Sequence, residues 1–390
     1  MSATGFGPGE SWAALAAVGL PLCVYLLIVA WGYDGESQIR GDGGYYLAVA
    51  ESVWTDHDLD LSNQLSPPLV NYSNHVSLDI HGRLVPKHSI LMPLISMPLV
   101  VVLGARGALA FNLIALTILL ALVFVLARRW VEPWPAMLAT SLTGMFSFLP
   151  HYAYNYSPDV FLTVLLVAVL VLLPKDREQA VWRHFVAGVV AGAIVAVRPA
   201  YVVVLPALPL LMGQPLYRSS AWLVLGLAGS TLIWMAFNIH LFGGPLVTGY
   251  DRIAVATHTG FSLHSHRADF TLPLLEGLKG QLLHPTKGLL STSVISLGSM
   301  LGLPVLLQRS WRMGLYVLVT STALLLLFSK YQYWSESHYG NRFLTPLVVL
   351  AALPLGCLID WILLSIQRPD RNCGARDSSA SPDSSTVSAT

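Results

Sequence analysis

Residues 12–32 read WAALAAVGLPLCVYLLIVAWG, and residues 40–61 read RGDGGYYLAVAESVWTDHDLDL. The first run has no charged side chain and is long enough, as a helix, to cross a hydrocarbon core of about 30 Å. The second is the first strongly polar segment after it. It holds Asp42, Glu51, Asp56, Asp58 and Asp60, a large share of the chain's 21 acids. Together they predict a retained membrane span followed by a polar working edge at one membrane face. A cleaved leader would carry a basic start and a small-residue cleavage site, which this run lacks.

Composition extends that reading to the whole chain. Of 390 residues, 54% are hydrophobic and 11% charged, with mean hydropathy +0.62. An ordinary soluble domain is about 25% charged. The fold class predicted is an all-α polytopic membrane protein. A net charge of +1 without a basic stripe gives no footprint for nucleic acid. Cys23, Cys357 and Cys373 have no metal-ligand spacing and form no disulfide framework.

Further apolar runs lie near 107–127, 134–150, 159–174, 185–197, 199–213, 221–239, 289–307, 313–329 and 343–366, which with the first gives ten spans. Counted this way, Arg128/Arg129, Lys175/Arg177/Arg183, Arg218, Arg309/Arg312 and Arg368/Arg371 all fall on one side, the cytoplasm by the positive-inside rule. Both termini are then cytoplasmic, and loops 33–106 and 240–288 are external. The organisation expected is a transmembrane domain over 1–368 and a polar, disordered tail over 369–390. Ser89–Gly104 is apolar but short and carries Pro93 and Pro98, so it reads as an interfacial or re-entrant half-helix. Counting it as an eleventh span would invert every later loop. Arg198-Pro199 breaks the run 185–213, and an arginine at membrane depth needs a polar cavity or a partner.

Sorting polar residues by side separates the two faces. Eleven of the twelve histidines fall in or beside external loops, as do Asp42, Lys87, Asp159, Lys287 and the segment 333–342, YWSESHYGNR. A polar site therefore belongs outside. The order of motifs resembles the GT-C superfamily of integral-membrane glycosyltransferases. The likeness is to bacterial polyprenyl-phosphate-sugar-dependent members, related to the dolichyl-phosphate-mannose–protein mannosyltransferase and aminoarabinose transferase group. GDGGYY puts Asp42 just beyond span 1, where that superfamily keeps its catalytic acid. Pro86-Lys87-His88 opens the proline-bearing half-helix, HYAYNYSPD (151–159) stands at the short second loop, and Arg198-Pro199 stands at a broken helix pair. The aromatic loop 333–342 ends at Arg342. Asp42 is followed by Gly43 where many relatives have a second acid, which leaves a metal there open.

What the resemblance implies is a GT-C-like bundle that moves a sugar from a polyprenyl-phosphate donor to a glycan, lipid or protein hydroxyl outside a bacterial inner membrane. Asp42 is then the candidate general base, and Lys87, Arg198 and Arg342 the cations for the leaving phosphate. Tyr45, Tyr46, His88, Asp159, His258, Glu336 and His338 are expected to bind substrate or support the site, with Trp54, Tyr333 and Trp334 available to line a groove. Each has a plainer role. Asp42 and Asp159 suit helix caps, Lys87 a snorkelling lysine, and Arg342 an ion pair with Glu336. Asp56, Asp58 and Asp60 suit either a divalent metal or a hydrogen-bonded turn, the turn being favoured. His258, His264 and His266 suit surface loops better than a metal centre, since they lack a helical i, i+4 pair. The competing functions are a transporter or flippase of lipid-linked glycans, a polysaccharide polymerase or ligase, and a non-catalytic scaffold. A transporter is expected to show repeats and polarity on both faces, which this chain does not.

Overall fold

The computed structural model describes residues 8–32, 39, 42–65, 75–173, 181–212, 216–257, 260–336 and 339–366. His258, His338, Lys175, Arg177, Arg368, Arg371 and the tail 369–390 lie outside the described residues.

Helix α1 (Pro8–Gly32) contains the first apolar run, and α2 (Asp42–Thr55) follows in the first loop. Helix α3 (Leu91–Leu103) is the proline-bearing half-helix. At 1.5 Å per residue its 13 residues span about 20 Å, short of the bilayer core. It turns back through Gly104, whose φ of +58° favours glycine, into α4 (Ala105–Ala127). The pair is tight: a Cβ on Gly107 would sit 2.0 Å from the Leu99 carbonyl oxygen.

Helices α5 (Pro133–Met145) and α6 (Pro158–Leu172) both begin at proline, whose missing N–H costs nothing in a first turn. Helix α7 (Val181–Val197) stops at Arg198 because Pro199 has no N–H to give. Beyond it, the expected span 199–213 is not an α-helix. It forms two 3-10 turns, Pro199–Val204 and Leu208–Leu211, since Pro199, Pro206 and Pro209 remove the donors an α-helix needs. Helix α8 (Leu216–Phe242) lies against α7 through reciprocal glycines. A Cβ on Gly188 would meet the Leu223 carbonyl oxygen at 2.1 Å, and one on Gly226 the Phe185 oxygen at 2.1 Å.

The chain continues through α9 (Leu274–Leu283), α10 (Leu289–Thr292), α11 (Ile295–Arg309), α12 (Trp311–Ser329), α13 (Thr345–Leu350) and α14 (Ala352–Ile366). Among the described residues, five stretches, Gly9–Trp31, Ala105–Ala127, Ser220–Phe242, Trp311–Ser329 and Arg342–Ile366, are long and apolar enough to cross a membrane, and shorter apolar helices accompany them. Large apolar side chains such as Leu27, Ile233, Leu301 and Ile366 point outward, as lipid-facing residues do. The chain is a multi-pass integral membrane protein.

The two long loops add something the all-α reading lacked. Strands β1 (Val76–Leu78), β2 (Leu84–Pro86), β3 (Ile253–Thr257) and β4 (Gly260–His264) pair antiparallel in the order β2-β1-β3-β4. Ser77 faces Ile253, so the two long loops share one sheet. The late loop joins them: Gln332 N–H donates to the Asp269 carbonyl at 2.9 Å, and Lys287 Nζ to that of Ser335 at 2.7 Å. The other end of the bundle collects arginines. Arg128 pairs with Glu10 at 2.6 Å and Arg309 with Asp360 at 2.6 Å. Arg129 donates to the carbonyls of Leu170 and Leu173, Arg309 to that of Trp130, and Arg312 to that of Met212.

Candidate active site

Asp42 opens α2, and Gly43 lets it sit where it does. A Cβ on Gly43 would lie 3.3 Å from the Tyr156 carbonyl oxygen and 2.8 Å from Ile39 Cγ2. Arg342, delivered by a 3-10 turn (Arg342–Leu344) just ahead of α13, donates from Nη1 to Asp42 Oδ2 at 2.8 Å. His88 Nε2 and His75 Nδ1 lie 3.3 and 3.4 Å from Oδ1, off the line of a good hydrogen bond. Tyr45 stacks on His75 with centroids 4.7 Å apart, and Tyr46 tilts over His88 at 5.3 Å. His88 Nδ1 meets the Tyr250 hydroxyl at 2.8 Å. Arg342 therefore pairs with Asp42 and not with Glu336, which is exposed.

Burial by itself raises the Asp42 carboxyl, but His88 and Arg342 nearby hold it well below the usual carboxylate range. Burial pulls the His88 imidazole down to about 3 against the attraction of Asp42, so it is neutral near pH 7. The fixed positive charge on Asp42 at that pH is then Arg342. A neutral His88 that accepts the Tyr250 hydroxyl proton at Nδ1 carries its own proton on Nε2, facing the carboxylate. Tyr250 stays protonated, since burial raises its phenol.

A second ion pair lies deeper. Arg198 Nη2 is 2.9 Å from Asp159 Oδ1, with the two side chains 9% and 0% exposed. Ser157 caps α6 and its hydroxyl donates to Asp159 Oδ2 at 2.6 Å. Phe343 connects the pairs: the guanidiniums of Arg198 and Arg342 each stand 5.1 Å from its ring centroid. Arg198 Nε and Arg342 Nε are buried with no hydrogen-bond partner among the described residues.

Lys87 is buried beside this cluster. Burial lowers its ammonium to about 8, against the opposing pull of Asp42. Its backbone is clasped by Gly249, where a Cβ would lie 2.4 Å from the Lys87 carbonyl oxygen. From Lys87, His88 and Tyr250 a cavity of about 310 Å³ runs along α3, α7 and α8, walled by Leu94, Ala193, Ile233, Trp234 and Phe237. One end is thus cationic and the rest apolar. Its aromatic lining comes from α8 and Tyr250; Trp54, Tyr333 and Trp334 are not among the lining residues.

The acidic run is taken up locally. Asp56 accepts from the side chains of Asn63 and Gln64. Asp58 Oδ1 accepts from Ser52 Oγ and from Asp60 N–H, both at 3.0 Å. Asp60 accepts from the Ser62 N–H at 3.0 Å and its hydroxyl at 2.6 Å. Among the described residues, the three-donor group close enough to hold a metal is His264, His266 and Asp269.

The structure brings Asp42, Tyr45, Tyr46, Lys87, His88, Asp159, Arg198 and Arg342 into one region, with Glu336 near enough for its charge to act on Lys87. His75, Tyr250 and Phe343 are site residues that sequence reasoning missed. None sits in a motif, and each reaches the site only through the pairing of loops distant in sequence.

No protein-family model and no curated protein sequence matches the chain. Two solved structures share its fold: ArnT from Cupriavidus metallidurans bound to undecaprenyl phosphate, and ArnT from the same organism in the apo state. Each aligns with a TM-score of 0.58 at 14% identity, over 92% and 93% of this chain respectively. The chain spans 62% and 63% of those two ArnT chains, so just under two thirds of their length. At that identity the likeness is one of fold: the chain shares the membrane-helix architecture of these ArnT structures.

Proposed function

We propose that this protein is a glycosyltransferase that moves a sugar from a polyprenyl-phosphate donor to an acceptor hydroxyl at the external membrane face. One observation carries the reading: a buried carboxylate, Asp42, stands beside an apolar cavity whose polar end holds Lys87, His88 and Tyr250. An isoprenoid chain fits the walls along α3, α7 and α8, and its phosphate suits the cationic end. The fold shared with ArnT, which was solved with undecaprenyl phosphate, supports the same ligand class.

In this reaction the acceptor oxygen attacks the anomeric carbon, the bond from that carbon to the phosphate oxygen breaks, and the acceptor proton passes to Asp42. The leaving group is the lipid phosphate, whose growing charge falls to Lys87 and Arg342. Arg198, neutralised by Asp159, holds Phe343 and through it the setting of Arg342. Arg342 serves two anions in turn. While it grips Asp42 the carboxylate is a weak base, and a donor phosphate that competes for the guanidinium returns basicity to Asp42 when substrate is present. Single-face attack by one base predicts inversion at the anomeric carbon.

The test is transfer by purified membranes given labelled polyprenyl-phosphate sugars, with wild type beside Asp42→Asn. Asparagine keeps size and capping ability but not basicity. A loss of at least about 10²-fold is expected, the scale of a missing general base. Equal turnover by both proteins on an active donor removes Asp42 from the chemistry. A folded wild type that moves no sugar to any supplied acceptor, yet carries a lipid-linked glycan across vesicles, is a flippase.

A further inference from the structure

We propose that His264, His266 and Asp269 form a binding site for one divalent metal ion of the zinc type, which ties the end of β4 to the 3-10 turn that follows it.

The three donors come from two adjoining elements, the end of β4 and the 3-10 turn His266–Asp269. One ligand atom of each lies within 4.8 Å of the others. His264 Nε2 is 3.0 Å from Asp269 Oδ1 and 3.3 Å from Oδ2, and His266 Nδ1 contacts Oδ2. Zinc holds nitrogen and oxygen ligands at about 2.0–2.2 Å, so donors around a tetrahedral ion stand roughly 3.3 Å apart. The His264–Asp269 pair already stands near that spacing, and all three donors lie within 4.8 Å of one another. Both rings bind as neutral imidazoles by carrying their proton on the far nitrogen.

The surroundings are those of a built site. Asp269 is 2% exposed. Gln332 orients it twice, from Nε2 to Oδ1 at 2.9 Å and from its backbone N–H to the Asp269 carbonyl at 2.9 Å. Partners of that kind fix the geometry of metal ligands. Asp251 secures the turn, accepting from Ser265 Oγ at 3.1 Å and pairing with Arg267 at 2.6 Å. The rings of Tyr250, Tyr331 and Tyr333 surround His266 at about 6 Å. Water completes the coordination sphere. Tyr250 packs on both His266 and His88, with ring centroids 5.8 and 5.4 Å away, and the ion's role is to lock the end of β4 to the turn that Gln332 meets. The inference stands independently of the transfer reaction.

The experiment uses the full chain in detergent with any histidine tag removed. Chelator-treated protein is titrated with Co²⁺ and, separately, with Zn²⁺ and counted by elemental analysis after desalting. The expected result is about one equivalent of Zn²⁺, visible d–d absorption with Co²⁺, and a higher unfolding midpoint with metal. His264→Gln and His266→Gln should each lose the Co²⁺ spectrum, while Asp56→Asn keeps it. Wild type that retains no metal and shows no Co²⁺ spectrum overturns the site. So does a His264→Gln/His266→Gln double variant that binds as wild type does.

Discussion

The two ends of this bundle use arginine in opposite ways. At one end Arg128, Arg129, Arg309 and Arg312 lie among helix ends, where they donate to backbone carbonyls or pair with Glu10 and the buried Asp360. Contacts with the last carbonyls of neighbouring helices match the favourable placement of cations at helix C-termini. At the other end Arg198 and Arg342 are drawn inward, share the face of one phenylalanine, and keep buried N–H groups unmet among the described residues. Two guanidiniums beside one ring repel each other, and each is held by its own carboxylate. The first arrangement spends its cations on acids and helix-end carbonyls. The second keeps buried N–H groups to spare among the described residues.

The contrast breaks most readily at Arg198. Arg198→Ala leaves Asp159 buried without its cation, and losing one partner of a buried pair costs about 3–5 kcal/mol. Thermal unfolding in detergent should show the largest drop of any arginine replacement. A loss no greater than that of an arginine at the other end would mean the two ends do not differ. Next in size is Arg342→Gln. With that guanidinium gone, burial acts on Asp42 with less opposition and its carboxyl rises, so the acid limb of the transfer rate should move to higher pH. An unmoved limb would separate Arg342 from Asp42.

Lys87 sharpens the comparison further. Its ammonium titrates near 8 in the folded protein, below the ordinary lysine value of 10.5. Between those values the unfolded chain keeps a proton that the folded one has released, so Lys87's contribution to stability rises with pH across that window. Binding of the lipid phosphate should move the other way, because the charged lysine is what attracts it. Affinity for undecaprenyl phosphate should therefore fall as pH climbs through about 8, and Lys87→Met should flatten that dependence. The smallest effect belongs to Arg128→Ala, where the partners are 19% and 27% exposed. An exposed pair of this kind contributes about 0.2–1 kcal/mol.

How far the sequence could be read depended on whether the physics was local. An uncharged run of membrane-spanning length declares itself, as do α1, α4, α8 and α12, because hydrocarbon thickness sets the length needed. The proline-broken half-helix was legible for the same reason, and Asp42 stood out as an acid just past a span. The failure over 199–213 was also local: three prolines within an apolar run weigh against an α-helix more than hydropathy weighs for it. The sheet was not legible, since Val76–Leu78 and Leu84–Pro86 are three-residue strands. They pair with each other as a short hairpin, and only Ser77 against Ile253, 176 positions away, joins that hairpin to the rest of the sheet.

By itself, then, the sequence determined a polytopic helical membrane protein with its polar chemistry gathered at one face, since burial in lipid leaves a chain few other ways to satisfy its backbone. It also offered most of the charged residues of the site as candidates. Only the tertiary structure decided who partners whom. Arg342 goes to Asp42 and not to Glu336, Asp159 goes to Arg198, His75 and Tyr250 join the cluster, and two loop histidines converge on one buried aspartate. Those choices depend on distances between segments far apart in sequence. A buried charge takes the opposite charge that the fold brings within about 3–4 Å, and sequence spacing alone does not report that distance.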